Sequence, residues 1–307
     1  MDKINNPAAS SGVLNPSHTI KTEPPSGLLL LRKQPGITSF DSLRDIKRAL
    51  GTGKAGHTGT LDKFAEGLLL VLTGRALKLS RWFTHCDKQY EGMICFGAET
   101  DTLDPEGAII AAAPLPSREA VELALAQFRG DIMQAPPAYS AVHIDGERAS
   151  VLARRGDAPE MSKRPVHIFR LELLSWDPPY AQIFAHCSSG TYIRSLARDI
   201  ALAAGSRAHL TALLRTKVAG FGLEDVGSIS PVPINKPVFD RLNIPCLDIS
   251  PQDAAHVIHG KPLAMLTAYG LNAGESNSAA LFSNGEFIAI IERIDGKWKY
   301  GFVYARD

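Results

Sequence analysis

The chain has 307 residues, of which 45% are hydrophobic and 21% charged, a composition typical of a soluble globular protein with about two domains. Its formal net charge of +1 argues against a protein that holds nucleic acid or membranes by overall charge alone, so such a partner must meet local basic clusters. The four cysteines lie far apart without a CxxC pair, which excludes the usual sequence signals of a zinc site and of a disulfide framework.

The first 26 residues are rich in Pro, Ser and Asn and contain no apolar signal core. No apolar run in the chain reaches the roughly 18 residues of a transmembrane helix. We therefore expect a disordered tail over residues 1–26 and a cytoplasmic protein without a membrane partner.

The N-terminal part predicts a strand, a turn and a helix, in that order. The apolar residues 28–31 favour a strand, and Lys33 precedes a Pro-Gly turn. Thr38 or Ser39 is expected to cap a helix that runs to about Leu50. The GTGK segment that follows lacks the GxxxxGK[ST] spacing of a phosphate-binding loop, so we expect no nucleotide cofactor.

The stretch Lys54–Trp82 carries an informative pattern. Its glycine-rich segment GHTGTLD contains His57 and ends at Asp62, just before an apolar run at 68–72 that predicts a buried strand. Asp62 could be a turn residue that caps its own backbone. It could also be a catalytic carboxylate on a glycine-shaped loop, because a carboxylate beside the core is costly unless something uses it.

The middle of the chain predicts alternating strands and helices. Alternation over 88–96 indicates a strand that carries Tyr90, for which core packing and a catalytic hydroxyl are both open. The other expected elements are a helical segment at Arg75–Phe83, a helix from Ser117 to Phe128, a helix that ends at Gly156, and strands at Val166–Leu174 and Ala181–Cys187.

A second informative stretch begins at Ser188. Gly190 and Thr191 are expected to open a helix on which Arg194 and Arg198 lie one turn apart. Five Lys or Arg residues and one acid occur from Arg194 to Lys217, which predicts either a basic patch for RNA or an ordinary solvated face.

The C-terminal part, from about Leu247, predicts a small module of a helical turn and three strands. Asn284-Gly285 and Asp295-Gly296 are strong hairpin signals, and we expect the strands to close into a small β barrel. His256 and His259 have no third ligand at metal spacing, so we predict no metal site.

Four motifs occur in the order and at the spacing of one family. They are GHTGTLD, KQYEGMICFGAETDTLDPEG, QAPPAYSAVHIDGERA and SGTYIRSLARDI, and together they resemble the bacterial tRNA pseudouridine-55 synthases over about residues 27–226. The resemblance implies an α+β fold, with a mixed, mainly antiparallel sheet flanked by helices. It also implies a catalytic domain over 27–246 and an RNA-binding module over 247–307 that is similar to a PUA barrel.

The resemblance assigns roles to individual residues. By similarity, Asp62 matches the catalytic aspartate, Tyr90 the active-site tyrosine and Arg194 the arginine of the TYIR segment. The predicted substrate-binding residues are His57, Lys33 and Leu214, joined by two basic residues of the motif-bearing stretches, Lys54 and Arg198. The segment after the aspartate departs from the family, because this chain has GTLDKFAEG where the family usually has GTLDPLATG.

The resemblance predicts an isomerase that converts the uridine at position 55 of the tRNA T-arm loop to pseudouridine by base flipping. This chemistry requires no cofactor or metal, and we expect tRNA as the partner of a monomeric protein. An RNA-binding or tRNA-folding protein on the same scaffold is the alternative, in which the altered KFAE segment has cost the activity.

Overall fold

A computed structural model of the protein describes residues 25–157, 159–263, 266, 269 and 276–304. The predicted tail therefore lies almost wholly outside the described residues.

The strands are β1 (Gly27–Lys33), β2 (Ala55–His57), β3 (Glu66–Thr73), β4 (Lys88–Phe96), β5 (Ala98–Thr100), β6 (Ile109–Ala112), β7 (Gly130–Gln134), β8 (His143–Ile144), β9 (Glu147–Arg148), β10 (Arg164–Asp177), β11 (Tyr180–Cys187), β12 (Ala208–Val218), β13 (Phe221–Gly222), β14 (Cys246–Asp248), β15 (Ser278–Ser283), β16 (Glu286–Ile294) and β17 (Lys297–Val303). The helices are α1 (Ser42–Ala49), α2 (Ser80–Thr84), α3 (Arg118–Gln127), α4 (Ala149–Arg154), α5 (Ile193–Ala203), α6 (Lys236–Arg241) and α7 (Pro251–Ile258), with 3₁₀ turns at Gly74–Leu79 and Leu223–Asp225.

The main sheet has nine strands. Together with the helices it gives the α+β fold predicted from the sequence. Its order is β1-β3-β12-β4-β11-β10-β7, with β2 paired to β3 and β13 to β12. Every pairing is antiparallel except that of β3 with β12, so the prediction of a mixed, mainly antiparallel sheet is confirmed. No helix in the described ranges is long and apolar enough to cross a membrane.

One face of the main sheet carries the largest apolar core. Alternate residues of β4, β11 and β12 point to this face and pack against α3 and α5. Along much of each of these strands every second residue is apolar and faces the core. Helix α5 covers them with an apolar stripe in which Leu196 and Ile200 are fully buried. A cleft opens on the same face.

The parallel contact between β3 and β12 depends on a glycine. Gly67 has a φ of +117°, and a Cβ there would lie 2.3 Å from the carbonyl oxygen of Arg215. Only glycine combines this backbone conformation with so close an approach. The contact places β12 beside the segment that carries Asp62.

The first helix begins later than predicted. α1 starts at Ser42, because Thr38 and Asp41 hydrogen-bond each other in a turn before the helix. The Ser39 hydroxyl is already in use, since it accepts from the Leu61 N–H at 2.8 Å and donates to the Leu61 carbonyl at 3.0 Å. The turn before α1 is thereby fixed to the residue that precedes Asp62.

The C-terminal strands do not form the predicted barrel within the described residues. β14, β15, β16 and β17 make an open sheet of four strands, in which β14 pairs parallel to β15. Both predicted hairpin turns are present, with Asn284 and Asp295 at positive φ. Phe282 and Phe287 of this sheet pack with Leu28, Leu68 and other residues of the main sheet in one shared core.

Candidate active site

A cleft of about 470 Å³ opens beside β4, β12 and the N-terminus of α5. Its charged lining consists of five cationic side chains and a single carboxylate, that of Asp62; the cations are Lys88, Arg148, Arg154, Arg194 and Arg215. The five basic residues come from five different elements, so no single run of charges in the sequence shows this concentration. A cleft of this charge suits a polyanion that presents one uncharged group to the carboxylate.

The loop that carries Asp62 is held by a buried arginine. Arg215 of β12 is 2% exposed, and it donates to the carbonyl oxygens of Leu68 at 2.7 Å and Gly59 at 3.1 Å. Together with the Ser39 contact to Leu61, these bonds fix the backbone on both sides of the loop. The Asp62 side chain remains about one-third exposed and faces the cleft.

Asp62 and Arg194 form a forked ion pair. Arg194 Nη2 donates to Asp62 Oδ1 at 3.0 Å, and Arg194 Nε lies 2.9 Å from Asp62 Oδ2. Arg194 sits in the first turn of α5 and is only 4% exposed. One hydrogen bond and one close ionic contact from the planar guanidinium therefore orient the carboxylate.

The same guanidinium has a second carboxylate partner that the sequence analysis did not single out. Arg194 Nη1 donates to the Thr102 carbonyl at 2.7 Å and to Asp104 Oδ2 at 3.1 Å, and Nη2 also donates to the Tyr139 carbonyl at 3.0 Å. Asp104 follows β5 in the chain, and its side chain is buried. It belongs to a cluster of acidic residues whose sequence is typical of a solvated turn. Its place within one of the four family-like motifs was the signal that could have identified it.

Two opposed effects act on the Asp62 carboxyl. Burial raises the pKa of Asp62 above its ordinary value, and the negative charge of Asp104 adds to the rise. Arg194 and Lys33 act in the opposite direction because their positive charges favour the carboxylate. The result is a carboxyl group with a raised pKa that lies against a permanent cation.

Tyr90 lies on β4, faces the cleft and is 8% exposed. Burial raises the pKa of its phenol, and the neighbouring Arg215 guanidinium partly offsets that rise. The phenol is therefore neutral at physiological pH, with its ring against the apolar side of the cleft near Leu213.

The predicted pocket leucine, Leu214, is not among the residues that line the cleft. Leu213, not Leu214, lines the cleft, because alternate residues of β12 point to opposite faces of the sheet. Leu213 is 7% exposed within the main core, whereas Leu214 pairs with Glu66 and Glu91 on the neighbouring strands.

Two leucine substitutions test this assignment. Leu213→Ala should raise the KM for the substrate or lower kcat by about tenfold, because it removes apolar surface from the cleft. Leu214→Ala should change neither value by more than about twofold. Steady-state kinetics on both variants checks the prediction, and a larger effect at Leu214 would contradict it.

Lys33 is not a surface contact for a substrate. It is 1% exposed, and its ammonium donates to the carbonyl oxygens of Ala65, Lys63 and Gln34 at 2.5, 3.3 and 3.1 Å. Burial lowers its pKa to about 8. The structure thus places Lys33 beneath the segment that follows Asp62, where it ties that segment to the end of β1.

The other predicted binding residues lie outside the cleft lining. His57 ends β2 and is half-buried, and burial together with Arg215 lowers the pKa of its imidazole. Lys54 is exposed just before β2. Arg198 pairs with Asp199 at 2.8 Å.

The predicted basic patch from Arg194 to Lys217 does not form one surface. Arg194 and Arg215 are buried on the cleft side, and Arg207 pairs with Glu99 at 2.9 Å. Of the basic residues in this stretch, all of which the structure describes, only Arg194 and Arg215 line the cleft.

A larger recess of about 640 Å³ lies between the main sheet and the C-terminal sheet. Its charged lining is mixed, since Arg81 faces Asp87 and Glu292 and is already paired with Glu292. It lacks the excess of cations that distinguishes the cleft at Asp62. The smaller cleft is therefore the better candidate for an anionic substrate.

The chain was compared with known protein families and sequences. A model described as the N-terminal domain of the TruB family pseudouridylate synthases matches residues 47–193. The chain is 46% identical over 203 residues to tRNA pseudouridine synthase B of Borreliella burgdorferi (strain ZS7), a match that covers 65% of this chain and 72% of that relative. It is 48% identical over 206 residues to tRNA pseudouridine synthase B of Bordetella avium (strain 197N), which covers 66% and 84%.

The chain belongs to the TruB family of pseudouridylate synthases. It is therefore an isomerase of that family, as the four sequence motifs indicate. Its fold is also similar to that in the crystal structure of a Cbf5-Nop10-Gar1 complex, with a TM-score of 0.62 and 23% identity over 87% of this chain and 78% of that chain. A structure of an H/ACA RNP bound to a substrate RNA containing 2'-deoxyuridine matches with a TM-score of 0.61 and 21% identity, over 87% of this chain and 78% of that one.

The segment in which this chain departs from the usual TruB pattern is accommodated without disturbing Asp62. Lys63 pairs with Glu106 at 3.5 Å, Glu66 pairs with Arg32 at 3.3 Å, and Phe64 packs on the main core. Both ion pairs are largely exposed, so each contributes at most about 1 kcal/mol. Asp62 makes its ion pair with Arg194 next to this altered segment.

Proposed function

We propose that this protein isomerises a uridine in the T-arm loop of tRNA, position 55, to pseudouridine. The observation that carries the proposal is the Asp62 carboxylate, which is held by the buried Arg194 and is the only anion among the described residues that line the cationic cleft. The curated relatives are named for tRNA pseudouridine synthesis, which supports tRNA as the substrate. The two exposed cations of the cleft, Arg148 and Arg154, provide contacts for RNA phosphates.

The proposed reaction requires the target base to leave its stack. The bond from N1 of uracil to C1' of the ribose breaks, the base turns, C5 bonds to C1', and the proton on C5 leaves while N1 gains one. The enclosed cleft of about 470 Å³ has room for one flipped nucleotide. Flipping costs a few kcal/mol, which contacts to the base and its phosphates must supply.

We assign the roles within this reaction from the geometry. The ionised Asp62 lies at the mouth of the cleft, where it can act on the sugar or the base as a nucleophile or a base. Arg194 holds it in one orientation and favours its charged form. Tyr90 provides a flat apolar surface for the uracil, with a neutral hydroxyl near the reacting atoms.

The proposed role of Asp62 predicts how turnover depends on pH. A carboxyl with a raised pKa takes up a proton at a higher pH than an ordinary aspartate, and the protonated form is inactive. We expect kcat to fall on acidification with a midpoint above the ordinary value of 3.8. Single-turnover rates measured from about pH 4 to 8 test this, with circular dichroism at each pH as the control for folding. A rate that stays constant down to about pH 4 would contradict the assignment.

The alternative is a tRNA-binding or tRNA-folding protein without turnover, in which the KFAE segment has cost the activity. The intact geometry of Asp62, Arg194 and Tyr90 favours the enzyme. A tRNA transcript labelled with tritium at uracil C5 separates the two functions, because only isomerisation releases the label. Release of one label per tRNA is the expected result, and binding without release would overturn the proposal.

We further propose that the protein acts as a monomer in the cytoplasm and without a cofactor. Its four cysteines are free thiols, which suits a reducing compartment.

A further inference from the structure

The turn before α1 exposes an aromatic side chain beside the cleft. Phe40 is 70% exposed, although a phenyl ring in this position has no role in the core. Ile37, in the same turn, is also exposed. Phe40 and Ile37 thus place two exposed apolar side chains together in one turn, and an exposed apolar patch of this kind marks a surface for a partner.

The position of Phe40 relative to the cleft is fixed by hydrogen bonds. Its neighbour Ser39 exchanges two bonds with Leu61, which lines the cleft next to Asp62. The Gly36 N–H donates to the Lys63 carbonyl at 2.8 Å, on the other side of Asp62. The turn from Gly36 to Phe40 therefore borders the catalytic loop on both sides of the aspartate.

One cation lies over the exposed ring, and other basic residues lie on the same helix as that cation and just beyond it. The Lys47 ammonium lies 5.3 Å from the centre of the Phe40 ring, and Arg44 and Arg48 are exposed on the same helix. Arg44 and Arg48 make only long ion pairs of 3.8 and 3.7 Å, with Asp41 and Asp45. Lys54, just beyond the helix, has no ion-pair partner within the part of the chain that the structure describes.

We propose that Phe40 and the basic residues Lys47 and Lys54 form an RNA-binding rim, in which an unpaired base of the substrate stacks on Phe40 and the flanking phosphates contact the two lysines. The inference rests on the proposed function, because it names a contact for the same RNA. An aromatic ring beside mobile cations is the combination that binds single-stranded RNA without reading its sequence. Because this turn borders the loop that carries Asp62, RNA bound in the cleft can reach the Phe40 ring.

The stacking role is tested by binding of a T-arm stem-loop RNA to proteins that also carry Asp62→Asn, so that turnover does not interfere. Phe40→Ala and Phe40→Leu should each weaken binding by about tenfold, while Phe40→Trp should bind as tightly as the parent protein. The loss with leucine separates stacking from simple apolar contact. Phe169→Ala is the matched control, since Phe169 is 53% exposed on β10 and points away from the cleft face.

The phosphate contacts are tested by the dependence of Kd on salt. Lys47→Gln and Lys54→Gln should each reduce the slope of log Kd against log salt concentration by about 0.7 to 0.9. Arg118→Gln, an exposed cation on α3, should leave the slope unchanged.

The outcomes distinguish this inference from the proposed function. Suppose that the wild-type protein releases tritium from tRNA while Phe40→Ala in the Asp62→Asn protein binds the RNA as tightly as Asp62→Asn alone. In that case the assignment of Phe40 to an RNA-binding rim is wrong and the proposed function stands. An effect of Phe40→Leu no larger than that of Phe169→Ala would equally overturn the stacking. If the wild-type protein releases no tritium, the proposed function itself fails.

Discussion

Asp62→Asn is expected to lower kcat by at least about a thousandfold and to leave the Kd for tRNA within about twofold of the wild-type value. Asparagine keeps the shape of the side chain but can neither attack carbon nor accept a proton as a carboxylate does. The cations that hold the RNA remain in place, so binding should persist. Single-turnover tritium release gives the rate, and filter binding gives the Kd.

The control for this variant is Asp131→Asn. Asp131 is a strongly exposed carboxylate on β7, paired with His167 and remote from the cleft lining. Its substitution should leave the rate unchanged. If Asp62→Asn retained a tenth or more of the wild-type rate, Asp62 would not be the reacting group.

Arg194→Lys should lower kcat by about a hundredfold despite conserving the charge. The arginine donates to Asp62, Asp104 and two backbone carbonyls from one rigid plane. A lysine ammonium has three donors and no fork, so it leaves at least one buried partner unpaired. We expect a lower melting temperature as well, because breaking a buried charge network costs about 3 to 5 kcal/mol.

Arg198→Lys provides the matched control. Arg198 lies one turn further along α5 and pairs mainly with its neighbour Asp199. We expect turnover within about twofold of the wild-type value. Full turnover of Arg194→Lys would show that Asp62 does not need the forked ion pair.

The sequence patterns predicted much of the sheet because they reflect local rules. β4 has the bounds that the alternation over 88–96 indicates, and α3 is capped by Ser117 as expected. A period of two and a capping hydroxyl act over a few residues, so they can be recognised without tertiary structure. The same rules cannot show which strands become neighbours.

The orientation of the pocket leucine could not be derived from local patterns. The pairing of β12 with β4 has irregularities between Leu210 and Ala212 and between Arg215 and Lys217. Each irregularity interrupts the simple alternation of faces. Choosing between Leu213 and Leu214 therefore needed the structure.

The charge network was hidden for a different reason. Arg194 and Asp104 are 90 positions apart in the sequence and meet only when α5 packs beside the loop after β5. The sequence around Lys33 is typical of an exposed basic residue after a strand. In the structure its ammonium is buried and donates to three backbone carbonyl oxygens. Long-range contacts of this kind decide whether a charge binds substrate or supports a loop.

We propose that Asp62 acts on one uridine of the T-arm loop. The most direct measurement maps pseudouridine in tRNA from cells that lack this protein and from the same cells supplied with wild-type or Asp62→Asn protein. We expect pseudouridine at position 55 to be lost without the protein, to return with the wild-type protein and to stay absent with Asp62→Asn. An unchanged map in cells that lack the protein, or full recovery with Asp62→Asn, would contradict it.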